Sequence, residues 1–315
     1  MPNDAYPVEL EAPDIAPYAA GNTGIPYVTS VDSLRPGPHV LVNALTHGNE
    51  ICGAIVLDRL LRDGIRPAAG KLTLSFANAA AYHRFDPANP AASRFVDEDF
   101  NRLWDVATLE GPRRSTELDR ARALRPLIDT VDLLLDIHSM QQAAAPLMLA
   151  GLTDKSLTLA RRVGVPETIV RDAGHAAGRR MRDYGAFDDP TSAKAALLVE
   201  CGQHWAKLTA DVALDTTWRF LAATGVLPPA ETARLLAPAP EQRVVTVTDA
   251  VTIMSERFAF TGSYRGLEVI PRAGTVIARD GGREIRTPYD DCVLIMPSRR
   301  LTRGQTAVRL GRFTG

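Results

Sequence analysis

Short apolar, β-prone runs alternate along the chain with segments in which apolar residues recur every three or four positions. The strand-like runs lie at residues 40–45, 71–77, 131–138, 147–150, 168–171 and 195–200. The helix-like patterns lie at residues 51–62, 115–129, 156–163 and 205–223. Alternation of this kind predicts an α/β domain, in which a mainly parallel mixed sheet is flanked by helices.

The pattern changes near a proline-rich stretch, residues 228–240. Residues 244–312 are rich in Val, Thr, Ile, Gly and Arg, with short strand-like runs and no long helical pattern. Because proline-rich segments often separate domains, we predict an α/β domain over residues 1–238 and a small β-rich C-terminal domain over 239–315. We expect the smaller domain to cap the site of the larger one.

Four polar residues lie at or just beyond the ends of predicted buried strands: His47, Glu50, His138 and Glu200. In a parallel sheet these ends share one edge, so residues distant in sequence meet there. His47 and Glu50 are three positions apart at a helix start, and both can therefore reach one point, as a zinc site requires. Singly, each feature is more often structural, but their joint placement favours a site.

The amino-acid composition and net charge exclude several classes of function. The 315 residues carry a net charge of −1, which gives no electrostatic footprint for nucleic acid or an anionic membrane. Three cysteines, Cys52, Cys201 and Cys292, argue against a disulfide framework and fit a reducing cytosol. We find no signal-peptide pattern and no apolar run of about 18 residues. We therefore expect a cytoplasmic protein with a small-molecule partner, and we leave a homo-oligomer open.

Four motifs occur in order: H-G-N-E at 47–50, D-F-N-R at 99–102, D-I-H-S at 136–139 and V-E-C-G at 199–202. Together they resemble the succinylglutamate desuccinylase/aspartoacylase family, zinc amidohydrolases related to the zinc carboxypeptidases. The resemblance covers about residues 40–205, and the β-rich tail is similar to the family's C-terminal domain. It implies a zinc carboxypeptidase-like fold.

The resemblance also implies a zinc site with one ion per chain. His47, Glu50 and His138 would bind the ion, and Glu200 would act as general base and acid. The chemistry agrees, since three protein ligands leave a fourth position for a water whose pKa falls to about 7. A carboxylate that is not a ligand can take the proton of that water and pass it to the leaving amine.

A long polar loop at residues 78–104 supplies cations. The resemblance implies that Arg94 polarises the scissile carbonyl, and that Asn101 and Arg102 hold a substrate carboxylate. Arg102 can do so as a bidentate fork that lysine cannot copy. In the alternative, both arginines pair with the acidic residues 97–99 on a solvated loop.

Further residues near these motifs have alternative roles. Asp136 lies on the same strand face as the histidine two positions later, so it either orients that ring or caps a helix. Residues 179–184, with three arginines, are either a mobile substrate loop, which we favour, or a solvated face. We expect Tyr289 to pack locally in a turn, His204 to be a surface histidine, and Cys201 to point into the core.

The leading interpretation is a zinc-dependent deacylase that hydrolyses the amide of a small N-acyl amino acid, with Glu200 shuttling the proton. A metallocarboxypeptidase acting on short peptides is the first alternative, although a capping domain would narrow the site. A non-catalytic protein that binds zinc or a carboxylate is the second, but it would have no use for Glu200. A lipoyl- or biotinyl-like carrier role for the tail is disfavoured, since its turn at residues 289–292 lacks a lysine.

Overall fold

A computed structural model of the protein describes residues 6–174, 177–228 and 238–314. The strands are β1 Val28–Asp32, β2 His39–Ala44, β3 Lys71–Phe76, β4 Leu133–Met140, β5 Leu147–Leu149, β6 Thr168–Arg171, β7 Ala195–Gln203, β8 Arg243–Thr252, β9 Phe258–Phe260, β10 Glu268–Ile270, β11 Val276–Asp280, β12 Arg283–Arg286, β13 Cys292–Ile295 and β14 Thr306–Phe313. The α-helices are α1 Ile51–Arg62, α2 Ala79–Tyr82, α3 Val106–Glu110, α4 Thr116–Ile128, α5 Asp154–Val163 and α6 Lys207–Ala223. Across these ranges, no helix is both long and apolar enough to cross a membrane.

Eleven strands form one mixed sheet in the order β1-β3-β2-β4-β7-β5-β6-β8-β14-β13-β10. Strands β3, β2, β4 and β7 run parallel to one another, as do β5, β6 and β8. A second, antiparallel sheet contains β12, β11 and β9. The predicted fold class, a mainly parallel mixed sheet with flanking helices and a small C-terminal β region, is confirmed.

The C-terminal strands join the large sheet directly. Strand β8 pairs in parallel with β6, and β14, β13 and β10 then extend the same sheet in antiparallel order. Backbone hydrogen bonds therefore continue from the α/β part into the tail. The predicted boundary at residues 238 and 239 adjoins residues 229–237, which lie outside the described part, and it stays a prediction.

Helices cover both faces of the parallel strands. Val40 and Val42 of β2 pack with α1, α5 and α6 on one face, whereas Leu41 packs with α4 on the other. Every residue of β2 is buried, which is why this strand is an almost continuous apolar run. Each fully buried aliphatic side chain contributes about 1.5–3 kcal/mol, so this double packing fixes the positions of the strand ends.

Register places the polar residues at one edge. Asn43 of β2 pairs with Asp136 of β4, and His138 of β4 pairs with Glu200 of β7. Side chains of register partners on parallel strands point to the same face. The carboxyl ends of β2, β4 and β7 therefore present a continuous polar surface.

Candidate metal and substrate site

The turn between β2 and α1 holds His47 and Glu50 in fixed positions. Leu45, which is buried, has a φ of 60°, an unusual value for a bulky residue that bends the chain sharply after the strand. At Gly48, a Cβ atom would lie 2.4 Å from the Ser93 carbonyl oxygen, so no larger residue fits. The tight turn directs both side chains toward the end of β4.

His47, Glu50 and His138 bring candidate ligand atoms within 4.8 Å of one another. Nδ1 of His47 lies 2.7 Å from Oε1 of Glu50, and Nδ1 of His138 lies 2.9 Å from Oε2 of the same carboxylate. All three residues are buried. Two imidazoles and one carboxylate are a donor set that catalytic zinc uses, and it leaves room for a further ligand.

The far side of each imidazole also faces a carboxylate. Nε2 of His47 lies 2.9 Å from Oδ1 of Asp99, and Nε2 of His138 lies 2.8 Å from Oδ2 of Asp136. Asp136 is held in turn by Asn43, whose Nδ2 donates to it at 2.8 Å. At His138, the carboxylate at Nε2 fixes the tautomer that leaves the Nδ1 lone pair for a metal, whereas Nε2 of His47 also lies 2.8 Å from Nη2 of Arg94. Two histidines and a carboxylate remain a donor set that fits a zinc ion. Of the two interpretations of Asp136, the structure supports ring orientation.

Electrostatics keep Glu50 ionised. Burial alone would raise its pKa, but His47 and His138 outweigh burial and hold the pKa of this carboxyl well below its usual range. Burial likewise disfavours the charged form of His138, but Asp136 and Glu50 outweigh it and raise its pKa well above the usual value. An ionised Glu50 is the form that coordinates a cation.

Glu200 is buried beside the candidate ligands, in register with His138. Its Oε2 atom has no hydrogen-bond partner among the described residues. Burial is the main cause that raises the pKa of Glu200 to about 8. A carboxyl that changes protonation near neutral pH is suited to general acid–base chemistry.

Arg94 lines the same cavity but is already paired. Its Nη1 lies 3.3 Å from Oε1 of Glu50, and its Nη2 lies 3.1 Å from Oδ2 of Asp99. The alternative that paired Arg94 with an acidic residue of its loop therefore holds for Asp99. This pairing occurs in the cavity wall, where the Arg94 side chain is 17% exposed, and not on a solvated surface. Its role toward a carbonyl stays a prediction.

Arg102 has no ion-pair partner in the described part of the chain. Its Nη1 donates to the carbonyl oxygen of Asn101 at 2.6 Å. Burial lowers the pKa of Arg102 to about 10 and outweighs the opposing effect of Asp99. A partly buried guanidinium without a carboxylate is a site that an anionic ligand would complete.

The segment at 177–187 is attached to the D-F-N-R motif. Oδ1 of Asn101 accepts a hydrogen bond from the backbone of Met181 at 3.0 Å, and Gly178 packs so closely that a Cβ would lie 2.2 Å from the Arg102 carbonyl oxygen. The solvated-face alternative is wrong for its central arginines, since Arg180 and Arg182 are buried. Contact between this segment and substrate stays a prediction. His175 of the same loop, for which the sequence favours a surface position, lies outside the described residues.

The sequence prediction for His204 as a surface residue is wrong. This histidine is 1% exposed, and its Nδ1 lies 2.8 Å from Oγ of Ser139. Helix α6 begins only at Lys207, so His204 directly follows the last residue of the buried strand β7. No periodic signal marks this position, because a single residue between a strand and a helix follows neither pattern.

Glu117 was not recognised from the sequence. It is fully buried, and its carboxylate accepts hydrogen bonds from the backbone N–H groups of Val96, Asp97 and Glu98 at 2.6–3.2 Å. These contacts fix the loop that carries Arg94. An acidic residue in the first turn of an amphipathic helix resembles an ordinary helix-dipole partner, so its tertiary role had no sequence signal.

The predictions for Tyr289 and Cys201 are confirmed. Tyr289 packs locally, with its hydroxyl 2.5 Å from Oγ1 of Thr248 and Arg312 stacked 3.7 Å from its ring centroid. Cys201 is 1% exposed and belongs to the main core. Neither lines the cavity of the candidate site.

All seven predicted site residues line one cavity of about 1030 Å³. They are His47, Glu50, Arg94, Asn101, Arg102, His138 and Glu200. The facing wall comes from the C-terminal region, at residues 263–266 and 296–309. That the C-terminal region caps the site stays a prediction.

Comparison with known proteins bears on this arrangement. The family model described as the succinylglutamate desuccinylase/aspartoacylase catalytic domain matches residues 36–216. The chain is 32% identical over 121 residues to a succinylglutamate desuccinylase from Pseudomonas aeruginosa (strain LESB58), a stretch that covers 36% of this chain and 34% of the relative. It is 34% identical over 132 residues to a probable aspartoacylase from Parasynechococcus marenigrum (strain WH8102), covering 39% of this chain and 41% of that one.

These alignments span well under half the length of the curated relatives. The fold likeness extends further. The crystal structure of succinylglutamate desuccinylase from Vibrio cholerae superposes with a TM-score of 0.71, at 18% identity, over 91% of this chain and 86% of that chain. Because the family model matches more than half of the sequence, the chain belongs to the succinylglutamate desuccinylase/aspartoacylase family.

Proposed function

We propose that the protein is a zinc-dependent hydrolase of the amide bond in a small N-acyl amino acid. One observation carries the proposal: the ligand atoms of His47, Glu50 and His138 converge beside Glu200, an unpaired buried carboxyl in the same cavity. This combination is what metal-assisted hydrolysis of an amide requires. Family membership supports it, since relatives are named for removing acyl groups from amino acids.

Each protein group has a distinct task in this proposal. A bound zinc ion supplies Lewis-acid activation of water and of the substrate carbonyl. Glu200 accepts a proton from water at Oε2 and returns it to the amine nitrogen as the C–N bond breaks, which yields a free carboxylate and a free amine. Arg102 and Asn101 hold the substrate carboxylate, and Arg94 faces the carbonyl oxygen.

A hydrolysis screen tests the proposal. The metal-free protein and the protein loaded with one equivalent of zinc are incubated with N-acetyl and N-succinyl amino acids and with short peptides, and the free amine is measured. We expect zinc-dependent release of amine from at least one N-acyl amino acid and little from peptides. Release from peptides alone would favour a carboxypeptidase, and zinc binding without any turnover would favour a binding protein. One zinc per chain, a cytoplasmic location and the oligomeric state stay predictions.

A further inference from the structure

His204 lines the cavity of the site but is neither a candidate ligand nor part of the D-F-N-R motif. Its backbone N–H donates to the carbonyl oxygen of Met140 at 2.8 Å, and its Nδ1 lies 2.8 Å from Oγ of Ser139. Its Nε2 is buried and has no hydrogen-bond partner among the residues that the structure describes. Because an unpaired buried polar atom is costly, we expect a ligand in the cavity to complete it.

The contact with Ser139 determines which ring nitrogen of His204 carries the proton. Within the described ranges, the Ser139 hydroxyl has Nδ1 of His204 as its hydrogen-bond partner and no other acceptor. The hydroxyl therefore donates to Nδ1, and the proton of the neutral ring lies on Nε2. Burial is the main cause that lowers the pKa of His204 to about 3, so the ring is neutral near pH 7. His204 thus presents a fixed N–H donor that carries no charge.

This donor lies beside the centre at which the proposed hydrolysis would occur. The backbone N–H of Ser139 donates to Oε2 of Glu50 at 3.1 Å, so Ser139 contacts both a candidate ligand and His204. Glu50 and Arg94 are charged neighbours of His204, and the same two residues are charged neighbours of Glu200. His204 and Glu200 therefore flank the same part of the cavity.

His204 differs from the arginines of the cavity in its lack of charge and in its unoccupied donor. Arg94 already donates to Oε1 of Glu50 at 3.3 Å and to Oδ2 of Asp99 at 3.1 Å. The arginines that the C-terminal region contributes to the rim are exposed, and they include Arg265, Arg299 and Arg300. A neutral donor in a fixed, buried position is suited to an oxygen on which negative charge develops during a reaction.

We infer that His204 is a further catalytic residue, whose Nε2–H donates to the oxygen of the scissile carbonyl as this oxygen becomes negatively charged. The inference rests on the proposed function. When water adds to the acyl carbon, the π electrons of the carbonyl move to its oxygen, and Glu200 takes a proton from the water. When the C=O bond forms again, the C–N bond breaks and Glu200 returns the proton to the nitrogen. The Nε2 proton of His204 stays on its ring throughout, so this residue stabilises the transition state without transferring a proton.

Two substitutions separate the proposed donor from the contact with Ser139. His204→Asn keeps an amide near the Nδ1 position but has no group at the Nε2 position, whereas His204→Gln places an amide N–H near the Nε2 position. The substrates are the N-acetyl and N-succinyl derivatives of aspartate and glutamate, assayed with zinc-loaded protein. We expect His204→Asn to lower kcat about 10²–10³-fold with less than about twofold change in KM, and His204→Gln to lower kcat by no more than about tenfold.

A tetrahedral analogue tests the inference without turnover. In the methylphosphonamidates of aspartate and glutamate, a tetrahedral phosphorus with an anionic oxygen replaces the planar acyl carbon of the N-acetyl compounds. Calorimetry measures their affinity for the zinc-loaded wild type and for both His204 variants, with free aspartate and glutamate as reference ligands. We expect His204→Asn to weaken binding of the analogues about 10²-fold or more, and binding of the free amino acids less than about twofold.

His83 provides a matched control, because it is exposed and does not line the cavity. His83→Asn should leave kcat, KM and every affinity unchanged, and elemental analysis should find wild-type zinc content in all variants. Equal loss of analogue and amino-acid binding in His204→Asn would overturn the inference, and so would equal loss of kcat in the two His204 variants. Loss of zinc from both variants would overturn it as well, since His204 would then act by supporting Glu50 through Ser139.

The two measurements distinguish this inference from the proposed function. If the wild type hydrolyses none of the four substrates but His204→Asn still weakens the analogues selectively, the proposed function fails and the donor role of His204 is kept. If the wild type hydrolyses a substrate and His204→Asn changes neither kcat nor the affinity for the analogues, the donor role fails and the proposed function is kept.

Discussion

Two walls of one cavity differ in how their polar atoms are satisfied. In the metal wall, formed by His47, Glu50 and His138, both imidazoles face a carboxylate through each ring nitrogen. In the substrate wall, formed by Glu200, Arg102 and His204, two buried atoms lack a hydrogen-bond partner among the described residues, Oε2 of Glu200 and Nε2 of His204, and Arg102 has no ion-pair partner there. Since buried polar groups are normally paired, the metal wall is pre-organised by the protein and the substrate wall is left for the ligand to complete.

The sharpest test of this contrast removes the charge of Glu200. Glu200→Gln keeps the shape of the side chain but cannot accept a proton. We expect kcat to fall by about 10²–10⁴-fold, the usual contribution of general acid–base catalysis, while the zinc content stays at the wild-type level. Steady-state kinetics on the best substrate measure the fall in kcat, and elemental analysis measures the zinc content. Full turnover by the variant would show that Glu200 is not the base.

The support of the substrate wall depends on a buried ion-pair network. Asp172 accepts hydrogen bonds from Arg180, Nη2 to Oδ1 at 2.6 Å and Nη1 to Oδ2 at 3.1 Å, and the carboxylate is 1% exposed. Asp172→Asn leaves Asp183 as the remaining ion-pair partner of Arg180, at 2.6 Å from Nε, so we expect the free energy of unfolding to fall by about 1–3 kcal/mol. Chemical denaturation measures this loss. Arg59→Gln is the matched control, because its pair with Asp63 is exposed and should contribute at most about 1 kcal/mol.

The same network predicts a pH dependence of stability. Burial would raise the pKa of Asp172, but Arg180 outweighs it and the pKa lies below the ordinary aspartate value of 3.8. A carboxyl whose pKa is depressed by folding stabilises the native state fully above its unfolded pKa, and this contribution is lost as the pH falls below 3.8. Acid unfolding of the wild type should therefore begin in that range, and Asp172→Asn should have a shallower pH dependence there. Identical slopes would contradict the assignment.

A substitution of Asp136, the carboxylate that contacts Nε2 of His138, tests whether the metal wall is pre-organised. Asp136→Asn keeps the contact to His138 but weakens control of the ring tautomer, so we expect zinc affinity to fall about 10–100-fold with the three proposed ligands unchanged. Competition with a chromogenic chelator measures the affinity. Asp290→Asn, in an exposed turn of the C-terminal region, serves as control. An unchanged affinity in Asp136→Asn would show that this carboxylate does not orient His138 for the metal.

The smallest expected effect concerns Arg102. Arg102→Lys keeps a cation but loses the planar fork, so we expect KM to rise about tenfold with little change in kcat. Steady-state kinetics on the preferred N-acyl amino acid measure this split. Equal KM values would show that the substrate carboxylate binds elsewhere. A large loss in kcat instead would give Arg102 a role in the chemical step.

Local signals predicted much of the fold and of the metal wall. The apolar runs were correct for β2, β4 and β7 because strands buried on both faces are apolar throughout. The spacing of His47 and Glu50 is local, and the strand-end positions of His138 and Glu200 follow from where each run stops. The four motifs, which depend only on residue type and order, indicate the family without any knowledge of contacts.

The sequence by itself therefore determined which strands form, which side chains end them and which family the chain resembles, since these depend on residue type and short spacing. Only the tertiary structure decided the pairing of β6 with β8 and the burial of His204. It also decided that the carboxylate of Glu117 accepts hydrogen bonds from the backbone of residues 96–98. These features join residues far apart in the chain, and a contact between distant segments leaves no periodic pattern in either. His47, Glu50, His138, Glu200 and Arg102 were predictable because each ends a strand or lies in a short motif, whereas the position of His204 in the cavity wall depends on contacts that form only when the chain folds.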